Sequence, residues 1–237
     1  MRRLVTASVL LLTAAVLAGC ATGADSAGGA SGSASATAVV DGAEFEGAWL
    51  DGGRMIGLVT WGSSSCVPSA DGVSADGQTV TVELLDPEDA ACTADYAPRV
   101  TLVPLPEGVD PSADVELVTT GAVEARGDLD GVPGLTVDSA ATDYQPSAGW
   151  ADDDLLVLLT WGSSSCAPAI QSATVSAPAE ITVAFAEAAP DQVCTMDMAP
   201  RTALAQLEEQ ADDDVDWTVL LVGAEFDSVA VPVLGQP

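Results

Sequence analysis

The sequence contains no histidine and no lysine, because all six of its basic residues are arginines. Without histidine, a Ser-His-Asp triad, a Cys-His pair and a histidine-ligated zinc site are excluded. Without lysine, a Ser-Lys dyad, a Schiff base and a phosphate-binding loop of the Walker type are excluded. These absences remove the commonest hydrolytic and phosphoryl-transfer sites, and we predict that the protein is not an enzyme.

Positive charge is scarce as well, since 36 acidic residues give the chain a net charge of −30. Such a surface repels nucleic acid and accumulates cations. We expect the charge to serve solubility or adaptation to salt, with specific Ca²⁺ binding as the alternative and no other cofactor. The acidic runs at 152–154 and 212–216 are interpreted as solvated turns, and metal binding is again the alternative.

The first twenty residues have the pattern of an export signal. Arg2 and Arg3 precede an apolar run over 4–17, which is too short to span a membrane, and the run ends in LAGC at 17–20. These four residues resemble the lipobox of bacterial lipoproteins. In that family the cysteine thiol carries a diacylglyceryl group, and the signal is cut just before it.

The lipobox resemblance implies a signal peptide at 1–19, a lipid on Cys20 and a place on the extracytoplasmic face of the cell membrane. Two acyl chains are enough for stable anchoring, where one is marginal. Residues 20–38 form an Ala/Gly/Ser tether, whose eighteen residues after Cys20 span roughly 25 Å as a flexible chain. The lysine-free, Ala/Asp/Val-rich composition is similar to that of surface lipoproteins of high-GC Gram-positive bacteria, which implies location without implying activity.

An internal repeat organises the rest of the chain. TWGSSSC occurs at 60–66 and again at 160–166, and C-T-x-D-x-A-P-R occurs at 92–99 and again at 194–201. Seven identical residues, followed in the same order by six of eight, indicate a tandem duplication with a period of about a hundred residues. Such a period exceeds a solenoid unit and suits an independent small domain.

We predict an all-β fold of two tandem β-sandwich-like domains, at 39–137 and 148–237, with a linker at 138–147. Short runs rich in Val, Ile, Leu and Thr alternate with Pro, Gly and Asp clusters. Leu155–Leu159 is apolar throughout, which predicts a strand covered on both faces. The predicted strands are 55–61, 79–84, 99–103, 115–119, 155–161, 181–185, 202–207, 217–222 and 229–234.

Two segments leave an alternative open. Residues 203–210 are also compatible with one or two helical turns. The segment 127–146 either joins the two domains or completes the first.

Four cysteines follow Cys20, and an even number in an exported protein predicts disulfides. Four cysteines allow three pairings. If one ancestral domain had its own bridge, the pairs are Cys66–Cys92 and Cys166–Cys194. Each bridge would then stabilise its domain by about 3–4 kcal/mol, a useful addition for a chain with only three phenylalanines.

The repeated phrase TWGSSSC is the first candidate site. GSSSC at 62–66 begins like the nucleophile elbow G-x-S-x-G, but it ends in cysteine, and no histidine is present to activate Ser64. We interpret the phrase as a structural corner in which a strand ends, Gly62 turns the chain and serine hydroxyls satisfy turn amides. The alternative is a pair of loops that bind a sugar or peptide with avidity. The contact residues would be Trp61, Ser63, Ser64, Trp161, Ser163 and Ser164.

The second repeated phrase places an aspartate four residues before an arginine. Asp95 precedes Arg99, and Asp197 precedes Arg201. This spacing predicts a local ion pair, and the scarcity of arginine indicates that each has a specific carboxylate partner. We expect both arginines to hold the chain after the disulfide, with anion recognition as the alternative.

The preferred function is binding or interaction at the cell surface, with a peptide, a cell-wall glycan or another envelope protein as the partner. The alternatives are a carboxylate-based hydrolase of the cell envelope and a Ca²⁺-stabilised surface module. With 36 acids, some carboxylates lie at suitable distances for glycoside hydrolysis in any fold, so acids alone do not separate these functions.

Overall fold

A computed structural model describes residues 45–137, 139 and 141–237. The predicted signal peptide, Cys20 and the tether lie outside the described residues. Within the described ranges, no helix has the length and apolar character that a membrane crossing requires. These residues belong to one compact unit.

The first half of the described chain contains seven strands in two antiparallel-rich arrays. β1, β2 and β5 form one array in the order β1-β2-β5, and the other four strands are ordered β3-β4-β6-β7. All neighbours are antiparallel except β4 and β6, which run parallel. The strands are β1 (Phe45–Leu50), β2 (Met55–Gly62), β3 (Ser69–Asp76), β4 (Thr79–Leu85), β5 (Ala97–Pro104), β6 (Val115–Gly121) and β7 (Ala125–Leu129).

The second half follows the same strand order. Its arrays are β8-β9-β12 and β10-β11-β13-β14, with β11 and β13 parallel. Here the two arrays also join, because the end of β14 pairs with the start of β8. The strands are β8 (Ser147–Asp152), β9 (Leu155–Gly162), β10 (Ile170–Ala177), β11 (Glu180–Phe185), β12 (Ala199–Gln206), β13 (Thr218–Gly223) and β14 (Phe226–Leu234).

In each half the two arrays face each other across a buried apolar cluster, as in a β-sandwich. The first core cluster consists of Phe45, Trp49, Ile56, Leu58, Val80, Val82, Leu84, Val103, Val109, Val115, Leu117 and Leu129. The second core cluster consists of Ala148, Trp150, Leu156, Leu158, Ala173, Ile181, Val183, Phe185, Ala205, Leu207, Trp217, Val219, Leu221 and Val231.

A third cluster lies between the halves and contains residues of both. It forms where the outer faces of β1-β2-β5 and β8-β9-β12 pack together, so each of these arrays is covered on two sides. Its buried members, the shared cluster, are Ala48, Leu50, Val59, Val100, Ala151, Leu155, Val157 and Leu159.

Glycines allow the halves to approach closely at the shared cluster. A Cβ on Gly149 would lie 2.2 Å from the carbonyl oxygen of Trp49, so β8 can cross β1 only without a side chain there. A Cβ on Gly57 would lie 2.9 Å from side-chain carbons of Leu50 and Val157. In the aligned repeat, Val157 is the counterpart of Gly57, so one copy supplies the gap and the other the side chain that fills it.

The prediction of an all-β fold is confirmed. Each of the nine predicted strands is present, and the continuously apolar Leu155–Leu159 is indeed covered on both faces, because alternate residues enter the second core cluster and the shared cluster. The helical alternative for 203–210 is wrong, since β12 pairs with β9 along its whole length. Both disulfides form as predicted, Cys66 with Cys92 and Cys166 with Cys194.

The segment 127–146 has two roles. Its first residues belong to β7, which completes the four-stranded array of the first half, and no strand lies among the described residues between Leu129 and Ser147. The domain limits at 39–137 and 148–237 stay a prediction. The shared cluster and the β14–β8 pairing show that the halves contact each other extensively.

Candidate functional site

The two repeated phrases meet in space and form one corner in each half. The first corner consists of residues 60–66, at the end of β2, and residues 92–99, which lead into β5. The second corner consists of 160–166 and 194–201, at the end of β9 and the start of β12. Each corner is closed by its disulfide, with Cα–Cα distances of 5.5 and 5.6 Å. The predicted disulfide pairing already implied that the phrases are adjacent, and the structure adds the contacts between them.

Within the first corner, hydroxyl groups link the two segments. Ser63 Oγ lies 2.9 Å from Thr93 Oγ1, and Ser65 Oγ accepts a hydrogen bond from the Thr93 backbone N–H at 3.0 Å. The Cys66 N–H donates to the Ser63 carbonyl at 3.2 Å and closes the turn. These contacts agree with the interpretation that serine hydroxyls satisfy the corner amides.

The second corner repeats this arrangement. Ser163 Oγ lies 2.8 Å from Thr195 Oγ1, and Ser165 Oγ accepts from the Thr195 N–H at 3.0 Å. The Cys166 N–H donates to the Ser163 carbonyl at 3.3 Å. Agreement at this level means that the motif residues, rather than their surroundings, determine the shape of the corner.

The motif aspartates are anchored by the same network. Side-chain hydrogen bonds from Ser64 and Thr93, with the Ser64 backbone N–H, lower the pKa of Asp95 to about 2. At Asp197, the side chains of Thr195 and Ser164 lower the pKa to about 2. Both carboxylates are exposed, so the hydrogen bonds and not a buried charge cause the shift.

The motif arginines lie behind the corners. Arg99 donates from Nη1 to the carbonyl oxygens of Ser63 and Cys66, and from Nε to Thr60 Oγ1 at 3.4 Å. Its guanidinium lies against Gly62, where a Cβ would approach within 2.6 Å. The glycine in TWGSSSC is therefore needed for the close approach of the arginine. The expectation that Gly62 turns the chain is wrong, because Gly62 is the last residue of β2 and the turn lies at Ser63–Cys66.

Arg201 holds the second corner in a similar way. Nη1 donates to the Cys166 carbonyl at 3.3 Å and Nη2 to the Trp161 carbonyl at 2.9 Å, while Nη2 also pairs with the Glu225 carboxylate. The Arg201 side chain is only 4% exposed. A buried guanidinium requires a counter-charge, and Glu225, in the turn between β13 and β14, supplies it.

The predicted pairing within the motif is wrong. Asp95 and Asp197 accept hydrogen bonds from the corner, and neither forms an ion pair with its arginine among the described residues. The reason is the strand geometry: the arginine side chain leaves the start of β5 or β12 on the side of the turn carbonyls, away from the aspartate.

The predicted contact residues have different environments. Trp61 and Trp161 are partly buried and pack against the shared cluster, and Tyr144 contacts Trp161 edge-on at 5.1 Å between ring centroids. Ser63 and Ser163 are partly buried and their hydroxyls contact Thr93 and Thr195. Ser64 and Ser164 are exposed, and their backbone N–H groups donate to Asp95 and Asp197. A ligand-contact role for these six residues stays a prediction.

The residues that sequence reasoning missed are the two variable positions of C-T-x-D-x-A-P-R. They are Ala94 and Tyr96 in the first copy and Met196 and Met198 in the second. Tyr96 is 77% exposed, and Met196 and Met198 are 104% and 62% exposed. A long apolar residue between fixed polar ones, at a position where the copies differ, is the signal that could have identified them.

A pocket of about 510 Å³ opens beside the second corner. The Cys166–Cys194 bridge, Arg201 and Glu225 line one side, and small residues such as Ala188 and Ala224 line another. Glu187 is also in its wall, where it accepts a hydrogen bond from the Ala224 N–H at 3.2 Å.

The described carboxyls with a shifted pKa are Asp95, Asp110 and Asp197, and in all three hydrogen bonds from neighbouring hydroxyls lower the pKa. A general acid in glycoside hydrolysis needs a raised pKa. Elsewhere, the carboxylates of Asp212, Asp213 and Asp214 come within 4.8 Å of one another in an exposed turn.

The two corners are therefore rigid platforms, each held by a disulfide, a hydroxyl network and a guanidinium, with apolar side chains at the tip. Their polar groups are mostly satisfied within the corner, and the large apolar side chains that they expose stand at positions that differ between the copies. The chain matches no protein-family model, no curated protein and no solved structure.

Proposed function

We propose that this protein is a lipid-anchored binding protein on the extracytoplasmic face of the cell membrane, and that its two corners carry the contact surface. One observation carries the proposal. The six positions that both copies of C-T-x-D-x-A-P-R share contain the disulfide cysteine, the residues of the hydroxyl network and the arginine. The two variable positions place Tyr96, Met196 and Met198 in solvent.

Exposure of three large apolar side chains on two short loops is unfavourable in water unless a partner covers them. The disulfides and the hydroxyl networks also hold both loops in one conformation, so little conformational entropy is lost when they bind. Methionine adapts its shape to a partner, and tyrosine offers a rigid ring with a polar tip. This combination is typical of contact surfaces and has no evident role in folding.

The negative charge of the chain limits the classes of partner that can bind. A net charge of −30 disfavours nucleic acid and other polyanions. We therefore keep a peptide, a neutral cell-wall glycan or another envelope protein as the partner class. Binding without catalysis accords with the lack of histidine and lysine and with the lowered pKa values at the corners.

The test is photo-crosslinking on intact cells from a reactive amino acid placed at Tyr96 or Met198. A matched control at Val175 uses an exposed apolar side chain on β10, away from both corners. We expect one discrete crosslinked species from the corner positions and none from the control. Identical products from all three positions, or none from the corners, would contradict the proposal.

A second measurement uses competition. Full-length protein with Met196→Ser and Met198→Ser should compete for the captured partner at least about thirtyfold more weakly, since burial of each of the two apolar side chains contributes about 1–3 kcal/mol. The Val175→Ser variant should compete like the unaltered protein. Equal competition by both variants would place the binding surface elsewhere.

The anchor is tested separately, because Cys20 lies outside the described residues. Replacement of Cys20 by serine should release the protein into the medium, as the thiol that would carry the lipid is lost. If the Cys20→Ser protein stays with the membrane fraction, the lipid anchor is wrong, whatever the result at the corners.

A further inference from the structure

The two motif arginines occupy matching places but have different electrostatic partners. Arg201 in the second corner pairs with the carboxylate of Glu225. Arg99 in the first corner donates only to two carbonyl oxygens and one hydroxyl, and it makes no ion pair with any of the described residues. A guanidinium without a counter-charge among the described residues is unusual in a chain with so many acids.

The hairpin that follows each corner explains the difference. In the second half, β13 and β14 are joined by Ala224 and Glu225. In the first half, β6 and β7 are joined by three residues, 122–124; Val123 packs against the first core cluster, and Glu124 is exposed. The loop that could supply a carboxylate to Arg99 instead directs an apolar side chain inward.

The unpaired end of Arg99 is accessible. Arg99 is partly exposed, and its Nη2 has no hydrogen-bond partner and is not among the buried polar atoms of the described residues. Nη1 and Nε are held by the corner, so the guanidinium keeps one orientation. A fixed guanidinium with free N–H donors forms strong charge-assisted hydrogen bonds to carboxylates.

We propose that Arg99 binds a carboxylate group of the ligand, in the position that Glu225 takes on Arg201. In the second corner the carboxylate on the arginine belongs to Glu225 of the same chain. In the first corner the carboxylate would belong to the ligand. The inference rests on the proposed function, since it assigns a ligand class to the same corner whose tip carries Tyr96. At physiological salt the more distant acids are largely screened, so they do not prevent a short-range contact of this kind.

The chain is suited to a direct test, because six arginines and no lysine give a sparse arginine side-chain spectrum. Full-length protein in detergent, labelled with ¹⁵N-arginine, is titrated with acetate and, as a neutral control, acetamide. We expect the Nε–H signal of Arg99 to shift saturably with acetate only. Arg126, which is paired with Glu116 on the surface, is the internal reference. An Arg99 response no larger than that of Arg126 would overturn the proposal.

A matched variant in the second corner tests the role of the carboxylate. In the second corner, Glu225→Gln should make Arg201 respond to acetate; if Arg201 still ignores acetate, Glu225 does not mark a carboxylate position.

Two peptides then distinguish the source of the carboxylate. Acetyl-Ala-Ala offers a terminal carboxylate, and acetyl-Glu-Ala-amide offers only a side-chain carboxylate.

Failure of the carboxylate site can be distinguished from failure of the proposed function. Tyr96→Ser should reduce capture of the partner and leave the acetate response of Arg99 intact, while loss of the Arg99 response with normal capture would reject only the carboxylate site.

Discussion

The first and second corners share their internal contacts and differ in what they present to solvent. Bridge, turn hydrogen bond, hydroxyl network and anchored aspartate recur with nearly the same distances. The tips differ, with Ala94 and Tyr96 in one copy and Met196 and Met198 in the other, and so do the partners of the arginines. The repeated residues therefore specify a scaffold, while the positions that differ between the copies, 94 and 96 or 196 and 198, make none of the hydrogen bonds described above for the corner.

The largest expected effect comes from the bridges. Removing either one by paired Cys→Ala substitution should lower the free energy of unfolding by about 3–4 kcal/mol, because the two bridges close loops of similar length, with sequence separations of 26 and 28. Denaturant titration measures both losses. Cys66 is more deeply buried than Cys166, so the first pair should cost slightly more. A loss below about 1 kcal/mol for either pair would show that its corner is held by other contacts.

The next effect concerns the contact between the halves. Gly149→Ala places a Cβ against the Trp49 carbonyl, which cannot move without displacing β1, and should cost about 1–3 kcal/mol. Gly57→Ala meets only side-chain carbons of Leu50 and Val157, which can shift, and should cost less. Equilibrium unfolding of both variants checks this order. If the shared cluster couples the halves, each variant unfolds in one transition; two separated transitions would indicate independent domains.

A smaller effect is the pH dependence that the corner aspartates give to stability. Their pKa is about 2 in the folded protein and near 3.8 without the network, so the contribution is complete above about pH 4 and is lost as the pH falls towards 2. Asp95→Asn and Asp197→Asn should each flatten the acid side of the stability curve between pH 4 and 2. Thermal melts over this range provide the measurement, and an unchanged acid slope would show that the network does not hold the charged form.

The smallest effect concerns single hydroxyl groups of the network. Thr93 donates to Asp95 and Thr195 donates to Asp197, and both hydrogen bonds lower the pKa of the aspartate. Thr93→Ala and Thr195→Ala should therefore raise the pKa of Asp95 and of Asp197 by similar amounts. Carboxyl ¹³C shifts followed by NMR give each pKa. A rise in one corner only would show that the two networks differ more than their contacts indicate.

Several strands escaped prediction for identifiable reasons. β3 and β10 have mostly polar or small residues and pair on one side only, so neither shows an apolar alternation. β1 and β8 contain Gly and Ala where they cross, because the close approach of Trp49 and Gly149 leaves no space for larger side chains. Their burial depends on the other half, which a local pattern does not contain.

The candidate site was predictable only in part. The pairing of the cysteines followed from the repeat and is confirmed. That Ser64 is not an activated nucleophile stays a prediction. The ion pair between Asp95 and Arg99 was wrong, because sequence spacing does not show which way a side chain leaves a strand. Tyr96 and Met198 were missed, since exposure depends on what packs nearby.

By itself the sequence determined the all-β class, the position of most strands and the choice of disulfides. Alternating apolar residues, turn residues and a repeated cysteine spacing are local signals, and their consequences are local. Only the tertiary structure decided that the halves share a cluster, and that Arg201 pairs with Glu225 while Arg99 has no ion pair among the described residues. These features depend on contacts between residues distant in the chain, and the physical reason is packing: a hairpin one residue longer turns Val123 inward where the other copy turns Glu225 towards the arginine.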